Sequence, residues 1–301
     1  MSLKIIHTAD WHLGQTFFGY DREEEHDAFL NWLVDTLAEQ QTDVLLIAGD
    51  VFDVANPSAS AQRRFFHFLK EANRRNPHLQ VIVVAGNHDS AARLESPIPL
   101  LEELNTSIVG IIRRTESGEI DFDSLVIPLY NKEKKREGWC LAVPYLRQGD
   151  YPAPEEGHDT YIAGINRMYR QLYDFADARR QPGEALVAMG HLHATGAELS
   201  DDDRSERIIM GGLESVSSDT FDEGLAYTAL GHIHKAQRIG GRENLRYSGS
   251  PLPMSFSETN YRHQVVAVTV ENGCLSDVEP LPVPLFAALH RIPAEPASPA
   301  E

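Results

Sequence analysis

Five short apolar runs recur along the chain, and each stops on a polar cluster. Ile5-Ile6 leads to Asp10 and His12, Val44–Ala48 to Asp50, and Val81–Ala85 to Asn87 and His88. Leu186–Met189 leads to His191, and Tyr227–Leu230 to His232 and His234. Runs of this length, rich in Val, Ile and Leu and closed by Gly, predict buried strands. Helical spacing lies between them. Residues 22–40 carry Leu30, Leu33, Val34 and Leu37 behind an acidic first turn, Glu23–Glu25. Ser58 suits the cap of a second helix through about Glu71, bearing Phe65, Phe66, Phe68 and Leu69. Pro97 and Pro99 open a short helix through Leu104, and residues 158–180 form a longer one. From Asp203 the chain turns β-rich, with Ile208–Met210, Leu245–Tyr247 and Val265–Val270 as strands. The alternation predicts an α/β fold whose site lies at the carboxyl ends of several strands. Residues 1–275 read as one domain, and the proline-rich stretch 276–301 as a tail.

Composition narrows the class. A 42% hydrophobic and 24% charged chain of 301 residues is ordinary for a folded globular protein, which excludes wholesale disorder and fibrous repeats. Two cysteines, Cys140 and Cys274, build neither a disulfide scaffold nor a Cys-type zinc site. No apolar stretch reaches the ~20 residues that span a bilayer, and no signal-peptide pattern precedes the first strand. A cytoplasmic protein with no membrane association is therefore expected. The formal charge of −18 argues against nucleic acid held by an overall positive field.

The clusters carry the chemistry. Asp10-Trp11-His12 places two donors on one side of an extended segment, because residues i and i+2 share a face. Gly49-Asp50 offers a carboxylate, and Gly86-Asn87-His88-Asp89 an amide oxygen, an imidazole and a second carboxylate. Gly190-His191 offers an imidazole, with His193 as the alternative, and Gly231-His232-Ile233-His234 offers two more. Mixed oxygen and imidazole donors without Cys suit Mn²⁺, Fe or Zn²⁺ better than Ca²⁺ or Mg²⁺. Mn²⁺ is the expected ion, with Mg²⁺, Fe or Zn²⁺ as alternatives. Seven donors exceed the ~4–6 that one ion uses, so two divalent metal ions sharing one carboxylate account for the set better.

The order of these motifs resembles that of the calcineurin-like metallophosphoesterase superfamily. His7-Thr8-Ala9-Asp10-Trp11-His12-Leu13-Gly14, Ala48-Gly49-Asp50-Val51-Phe52-Asp53 and Ala85-Gly86-Asn87-His88-Asp89-Ser90 carry the resemblance, with Leu230-Gly231-His232-Ile233-His234 and Ser248-Gly249-Ser250-Pro251-Leu252-Pro253. Their spelling is similar to that of a family of DNA-repair nucleases within it, over residues 4–285. The resemblance implies a four-layer α/β/β/α sandwich with a dinuclear metal site at strand ends. It implies Asp10, His12 and His234 on the first metal, Asn87, His191 and His232 on the second, and Asp50 bridging. His88 is implied to steady the scissile phosphate and protonate the leaving oxygen, with Asp89 accepting its other ring proton. The implied activity is DNA phosphodiester hydrolysis, as a single-strand endonuclease and, with an SMC-type ATPase partner, an ATP-dependent 3′–5′ exonuclease on duplex ends. A homodimer is also implied. Members of that family continue into a DNA-contacting cap and a helical segment that docks on the ATPase, so residues 276–301 are expected to be a tail or the start of a truncated C-terminal cap region. A cyclic-nucleotide phosphodiesterase, a phosphoprotein phosphatase and a non-catalytic scaffold are the rival readings.

Plainer readings stand beside several of these residues. Asp53 suits a local hydrogen bond as well as a role beside a ligand, and Asp89 a turn. His26 reads as a partly buried helix histidine, and Trp11 and Phe52 as packing. Lys132, Lys134, Lys135 and Arg136 read as an exposed hairpin or a DNA contact. Adjacent Phe65 and Phe66 point ~100° apart on a helix, so one of them either meets a partner subunit or is buried within the monomer. Two divalent ions bring +4 against −2 from Asp10 and Asp50, which makes the site locally positive despite the acidic chain.

Overall fold

Every residue of Val44–Ala48 and of Gln80–Val84 is buried, as expected of parallel strands covered on both faces. The structure, a computed structural model, describes residues 2–152, 161–198 and 215–290. Its strands in chain order are β1 (Ser2–Thr8), β2 (Thr16–Phe17), β3 (Tyr20–Asp21), β4 (Val44–Ala48), β5 (Gln80–Val84), β6 (Thr106–Val109) and β7 (Val126–Tyr130). They continue as β8 (Arg136–Ala142), β9 (Ala185–His191), β10 (Tyr227–Gly231), β11 (Gln237–Ile239), β12 (Arg242–Tyr247), β13 (Gln264–Glu271) and β14 (Cys274–Pro282). The helices are α1 (Glu23–Glu39), α2 (Ala59–Arg75), α3 (Ala91–Glu95), α4 (Ile98–Leu101) and α5 (Tyr161–Asp177).

Two six-stranded mixed sheets form, in the orders β14-β13-β1-β4-β5-β6 and β11-β12-β10-β9-β8-β7. Each has a parallel centre, β1-β4-β5-β6 in one and β12-β10-β9-β8 in the other, with antiparallel strands added outside. Alternation along the first sheet sorts its side chains between two cores. Ile6, Leu45, Ile47, Val81 and Val83 pack with Phe29, Leu33, Leu37, Phe65, Phe68 and Leu69 of α1 and α2. Ile5, Val44, Leu46, Ile82 and Val84 face the other way, into a core shared with the second sheet and with Ile165, Met168, Tyr169 and Leu172 of α5. The result is the expected α/β/β/α order of layers.

The helix boundaries follow local chemistry. Ser58 Oγ accepts from the Ala61 amide at 3.1 Å and caps α2, which runs on to Arg75. The short helix expected from Pro97 is split into α4 and a 3₁₀ turn, Glu102–Leu104. Residues 158–160 and the strand expected at Ile208–Met210 lie outside the described residues. Lys132, Lys134 and Lys135 occupy the exposed turn between β7 and β8, while the Arg136 guanidinium pairs with Glu184 at 2.8 Å and stacks over Trp139.

Of the stretch 276–301, expected as a tail or the start of a cap region, the first residues continue β14, which runs to Pro282 and pairs antiparallel with β13. Its prolines are tolerated because β14 is the edge of its sheet, where a missing N–H breaks no ladder. On α2, Phe65 is buried and Phe66 half-buried, its ring 5.4 Å from that of Phe65, which leaves part of that face open. Trp11 and Phe52 are buried packing residues, in line with the plainer reading: the Trp11 ring meets Phe29, Phe65 and Phe68 edge-on.

Phe65 touches both Trp11 and Phe52 and is fully buried. Phe65→Ala should therefore cost about 3–5 kcal/mol of stability, read as a fall in the denaturant midpoint at unchanged slope.

Candidate metal centre

Backbone bonds continue past the ends of the parallel strands and fix where the functional side chains leave the chain. The Asp10 amide donates to Gly49 O at 3.0 Å, His12 to Asp50 O at 3.0 Å and Leu13 to Val51 O at 2.9 Å. These bonds hold the loops after β1 and β4 side by side. Asp10, His12, Asp50 and His232 all have positive φ, at 56°, 45°, 50° and 103°. Non-glycine residues bear that strain only where surrounding contacts over-determine the backbone, commonly at functional sites.

The side chains from five strand ends converge. Donor atoms of Asp10, His12 and His234 lie within 4.8 Å of one another, as do those of His12, Asp50 and His88, and those of Asp50, His191 and His232. Asn87 joins the last group, its Oδ1 lying 2.9 Å from His191 Nε2 and 3.0 Å from His232 Nδ1. Asp50 Oδ2 lies 3.1 Å from His191 Nε2 and 3.8 Å from His12 Nε2, so this carboxylate stands between two groups of donors. All seven sequence-predicted ligands are thus brought together. His193 is half-buried and belongs to none of these groups among the described residues.

Each carboxylate spends one oxygen on the backbone and keeps the other for the cluster. Asp10 Oδ1 accepts from the His232 amide at 2.9 Å, and Asp50 Oδ1 from the His88 amide at 2.9 Å. Asp10 Oδ2 and both ring nitrogens of His12 are buried without a hydrogen-bond partner. His191 Nδ1 donates to the Ala48 carbonyl at 2.8 Å, which leaves Nε2 as the lone-pair side of the neutral ring. Nε2 faces two acceptors, Asn87 Oδ1 and Asp50 Oδ2, so positive charge, as a proton or a metal ion, has to lie between them. Without a metal the ring itself takes up that charge. Burial alone would lower His191, but the Asp50 and Asp10 carboxylates drive its pKa up to about 9. Burial pushes Asp10 up to about 6, while for Asp50 burial is outweighed by His191 and His12, which hold it well below the usual carboxylate range. Buried oxygen and imidazole acceptors that collectively demand cations fit divalent metal ions in this place.

Small residues make room for the approach. A Cβ at Gly86 would strike the Asp50 carboxylate, and one at Gly231 would strike the Ala48 carbonyl. The loop after β12 backs the last ligand pair: the Ser250 amide donates to His234 O at 3.0 Å, and His263 Nδ1 donates to Ser250 O at 2.9 Å. His26 is buried, in line with its plain reading, and burial pushes its pKa down to about 3.

Asp89 does not do what was expected of it. Its carboxylate accepts from the backbone amides of Val51 (3.2 Å), Phe52 (3.0 Å) and Gly86 (2.9 Å). The ring proton of His88 goes instead to the Asp53 carbonyl, 2.8 Å from Nδ1. His88 and Asp89 are neighbours in the chain whose hydrogen bonds run to different partners. Asp53 also brings Oδ1 to 3.4 Å from His12 Nδ1, the positioning alternative to a purely local bond. Sequence reasoning missed Glu258. It is buried, accepts from the Met254 amide at 2.9 Å, and reaches to 3.8 Å from His234 Nδ1. No spacing pattern marks it, because it arrives from a separate 3₁₀ turn.

A pair of mixed sheets with a carboxylate–imidazole cluster at their strand ends defines a metallophosphoesterase, and residues 3–236 match the family model of the calcineurin-like phosphoesterases. The chain is 40% identical over 302 residues to SbcD, the D component of nuclease SbcCD, of Rhodobacter capsulatus, an alignment covering 99% of this chain and 73% of that protein. It is 38% identical to the SbcD protein of Escherichia coli, covering 94% of this chain and 69% of that one. Identity to the SbcD protein of Bacillus subtilis is 33%, covering 90% and 67%. The chain belongs to the SbcD family of calcineurin-like phosphoesterases.

Asp89→Asn puts an amide N–H₂ against at least one backbone N–H. Stability should fall by about 1–3 kcal/mol, and metal content should fall with it although no ligand is removed. Thermal unfolding together with metal analysis checks this. Slower cleavage at unchanged stability would restore the orienting role.

Proposed function

We propose that this chain is a metal-dependent DNA phosphodiester hydrolase, the nuclease subunit that works with an SbcC-type ATPase in DNA repair and recombination. The observation that carries the reading is the place of Asp50: one buried carboxylate between the His12 side and the His191 side of a single cluster. That is the arrangement a bridged pair of ions requires. Two divalent ions, Mn²⁺ being the proposed species, supply water activation and charge neutralisation when bound. Asp10, His12 and His234 hold one ion, and Asn87, His191 and His232 the other.

The protein's own residues do the rest. Buried oxygens of Asp10 and Asp50 fix where positive charge sits, and hence where a phosphate is drawn. The Ala48 carbonyl and the Asp53 carbonyl set the tautomers of His191 and His88. With its Nδ1 proton committed to Asp53, His88 turns Nε2 towards the cluster. Protonated there, it steadies the scissile phosphate and delivers the proton to the departing 3′ oxygen. Single-stranded DNA is the substrate of the chain alone. Duplex ends are degraded 3′ to 5′ with ATP and the SbcC partner, whose basic surfaces supply affinity that a chain of charge −18 lacks. The working unit is a homodimer in the cytoplasm. Among the described residues no helix is long and apolar enough to cross a membrane.

Two variants separate cage from catalyst. Asp50→Asn should lower occupancy of both ions, whereas His234→Ala should mainly empty one; metal analysis showing two ions retained by the Asp50 variant would end the bridging assignment. His88→Gln should keep its metals and lose about 10²–10⁴-fold on DNA. Its loss should be smaller on bis-p-nitrophenyl phosphate, whose phenolate departs without a proton. Equal losses on both substrates together with a missing ion would make His88 a ligand.

A further inference from the structure

Between His12 and α1 the chain turns back in a minimal hairpin. Thr16–Phe17 pairs with Tyr20–Asp21, and Phe18 and Gly19 form the two-residue turn. Both turn residues have positive φ, 50° and 87°. Such a turn favours Asn, Asp or Gly at its first position, and a bulky side chain there carries backbone strain. Burial does not offset that cost, because Phe18 is 66% exposed. A second exposed ring meets it. Phe256, 56% exposed, comes from the 3₁₀ turn Phe256–Glu258. The ring centroids of Phe18 and Phe256 are 4.7 Å apart, and Phe17 completes the cluster at 5.1 and 4.9 Å from them.

This surface is built rather than accidental. The guanidinium of buried Arg22 lies 5.1 Å from the Phe17 ring and donates to Gln15 Oε1 at 2.8 Å and to Pro253 O at 2.6 Å. Both segments that carry the rings lead straight to the metal centre. The Gln15 amide donates to His12 O at 3.0 Å, and Glu258, two residues beyond Phe256, lies 3.8 Å from His234. The two ring-bearing segments are thus anchored, through Gln15 and Glu258, on the Asp10–His12–His234 side of the cluster.

We propose that Phe18 and Phe256 form a stacking platform for an unpaired nucleobase of the strand being cut. The proposal rests on the DNA-nuclease reading of the site and adds how a base next to the scissile phosphate is held. The charges beside the platform favour a base over a phosphate: Asp21 within the hairpin and Glu24 just beyond it are acidic, while the carboxylates of Glu23 and Glu25 are paired with Arg64 and Arg22, so no cation is left over for a backbone phosphate among these residues. A neutral aromatic face accepts any base, which suits a nuclease without sequence preference. It also gives this acidic chain an affinity that needs no cationic surface.

The test uses the full chain with Mn²⁺ and two variants, Phe18→Asn and Phe256→Ala. Asn suits the left-handed turn, so Phe18→Asn should unfold no earlier than the parent while its KM for single-stranded DNA rises roughly 5- to 150-fold. The slope of log affinity against log salt should not change, because no phosphate contact is lost. On an oligonucleotide carrying abasic residues around the cut site, the parent should already show the raised KM, and neither variant should raise it further. Unaltered KM on intact DNA in both variants would overturn the platform while leaving the nuclease reading standing. A shift only in self-association or in binding of the ATPase would make the patch a protein interface and likewise overturn it. If the parent cuts no DNA under any condition yet hydrolyses bis-p-nitrophenyl phosphate, the nuclease reading itself falls, and the platform with it.

Discussion

The arrangement of this molecule depends on how one buried carboxylate divides its two oxygens. Asp50 Oδ1 takes the His88 amide, which ties the loop after β4 to the loop after β5. Asp50 Oδ2 enters the cluster beside His191, a residue of the opposite sheet. A backbone bond on one oxygen makes the direction of the other a property of the fold rather than of a free rotamer. Asp10 repeats the device, its Oδ1 receiving the His232 amide from the second sheet. Two carboxylates thus stitch the sheets together at one end while presenting unpaired oxygens to the same small volume. Such an arrangement is costly without cations, since burial disfavours charge that is not compensated. The fold and the cations therefore support each other.

Much of this was legible in the sequence because it depends on periodicity and on adjacency. Fully apolar runs gave β4, β5, β9 and β10 directly, and each run ends within a few residues of a donor. The donors themselves are short-range signals, none more than four residues past the end of a strand. What escaped depended on three-dimensional partners. The direction of Asp89 could not be read, because a turn carboxylate serves equally well as backbone acceptor or as imidazole partner until the neighbouring loop is placed. Glu258 lies outside every motif and meets His234 only through the fold. Strand β14 escaped for a different reason. Its side chains are mostly exposed, so it lacks the alternation that marks a half-buried strand, and its prolines argue for a tail unless the strand is known to be an edge.

The aromatic hairpin shows the same division. Nothing in the residue pattern marks its turn, because Phe-Gly is not the pair that local chemistry selects. Local preference is contradicted where side chains serve a purpose other than folding, and the strain at Asp10, His12, Asp50 and His232 belongs to the same pattern. Against this, Asp89 stands at the centre of a functional motif and holds three amides of two loops.

The position of β1 has a consequence for how the protein is made. β1 lies between β4 and β13, with Ile5 opposite Val268 and Ile6 opposite Ala267. A ribosome moving at ~5–20 residues per second would need on the order of tens of seconds to travel from the first strand to its antiparallel neighbour. Throughout that interval β1 is a nascent sheet edge, with one row of backbone groups open to any passing strand. The pairing of β1 with β13 is thus a long-range step that local folding of the first strands cannot complete.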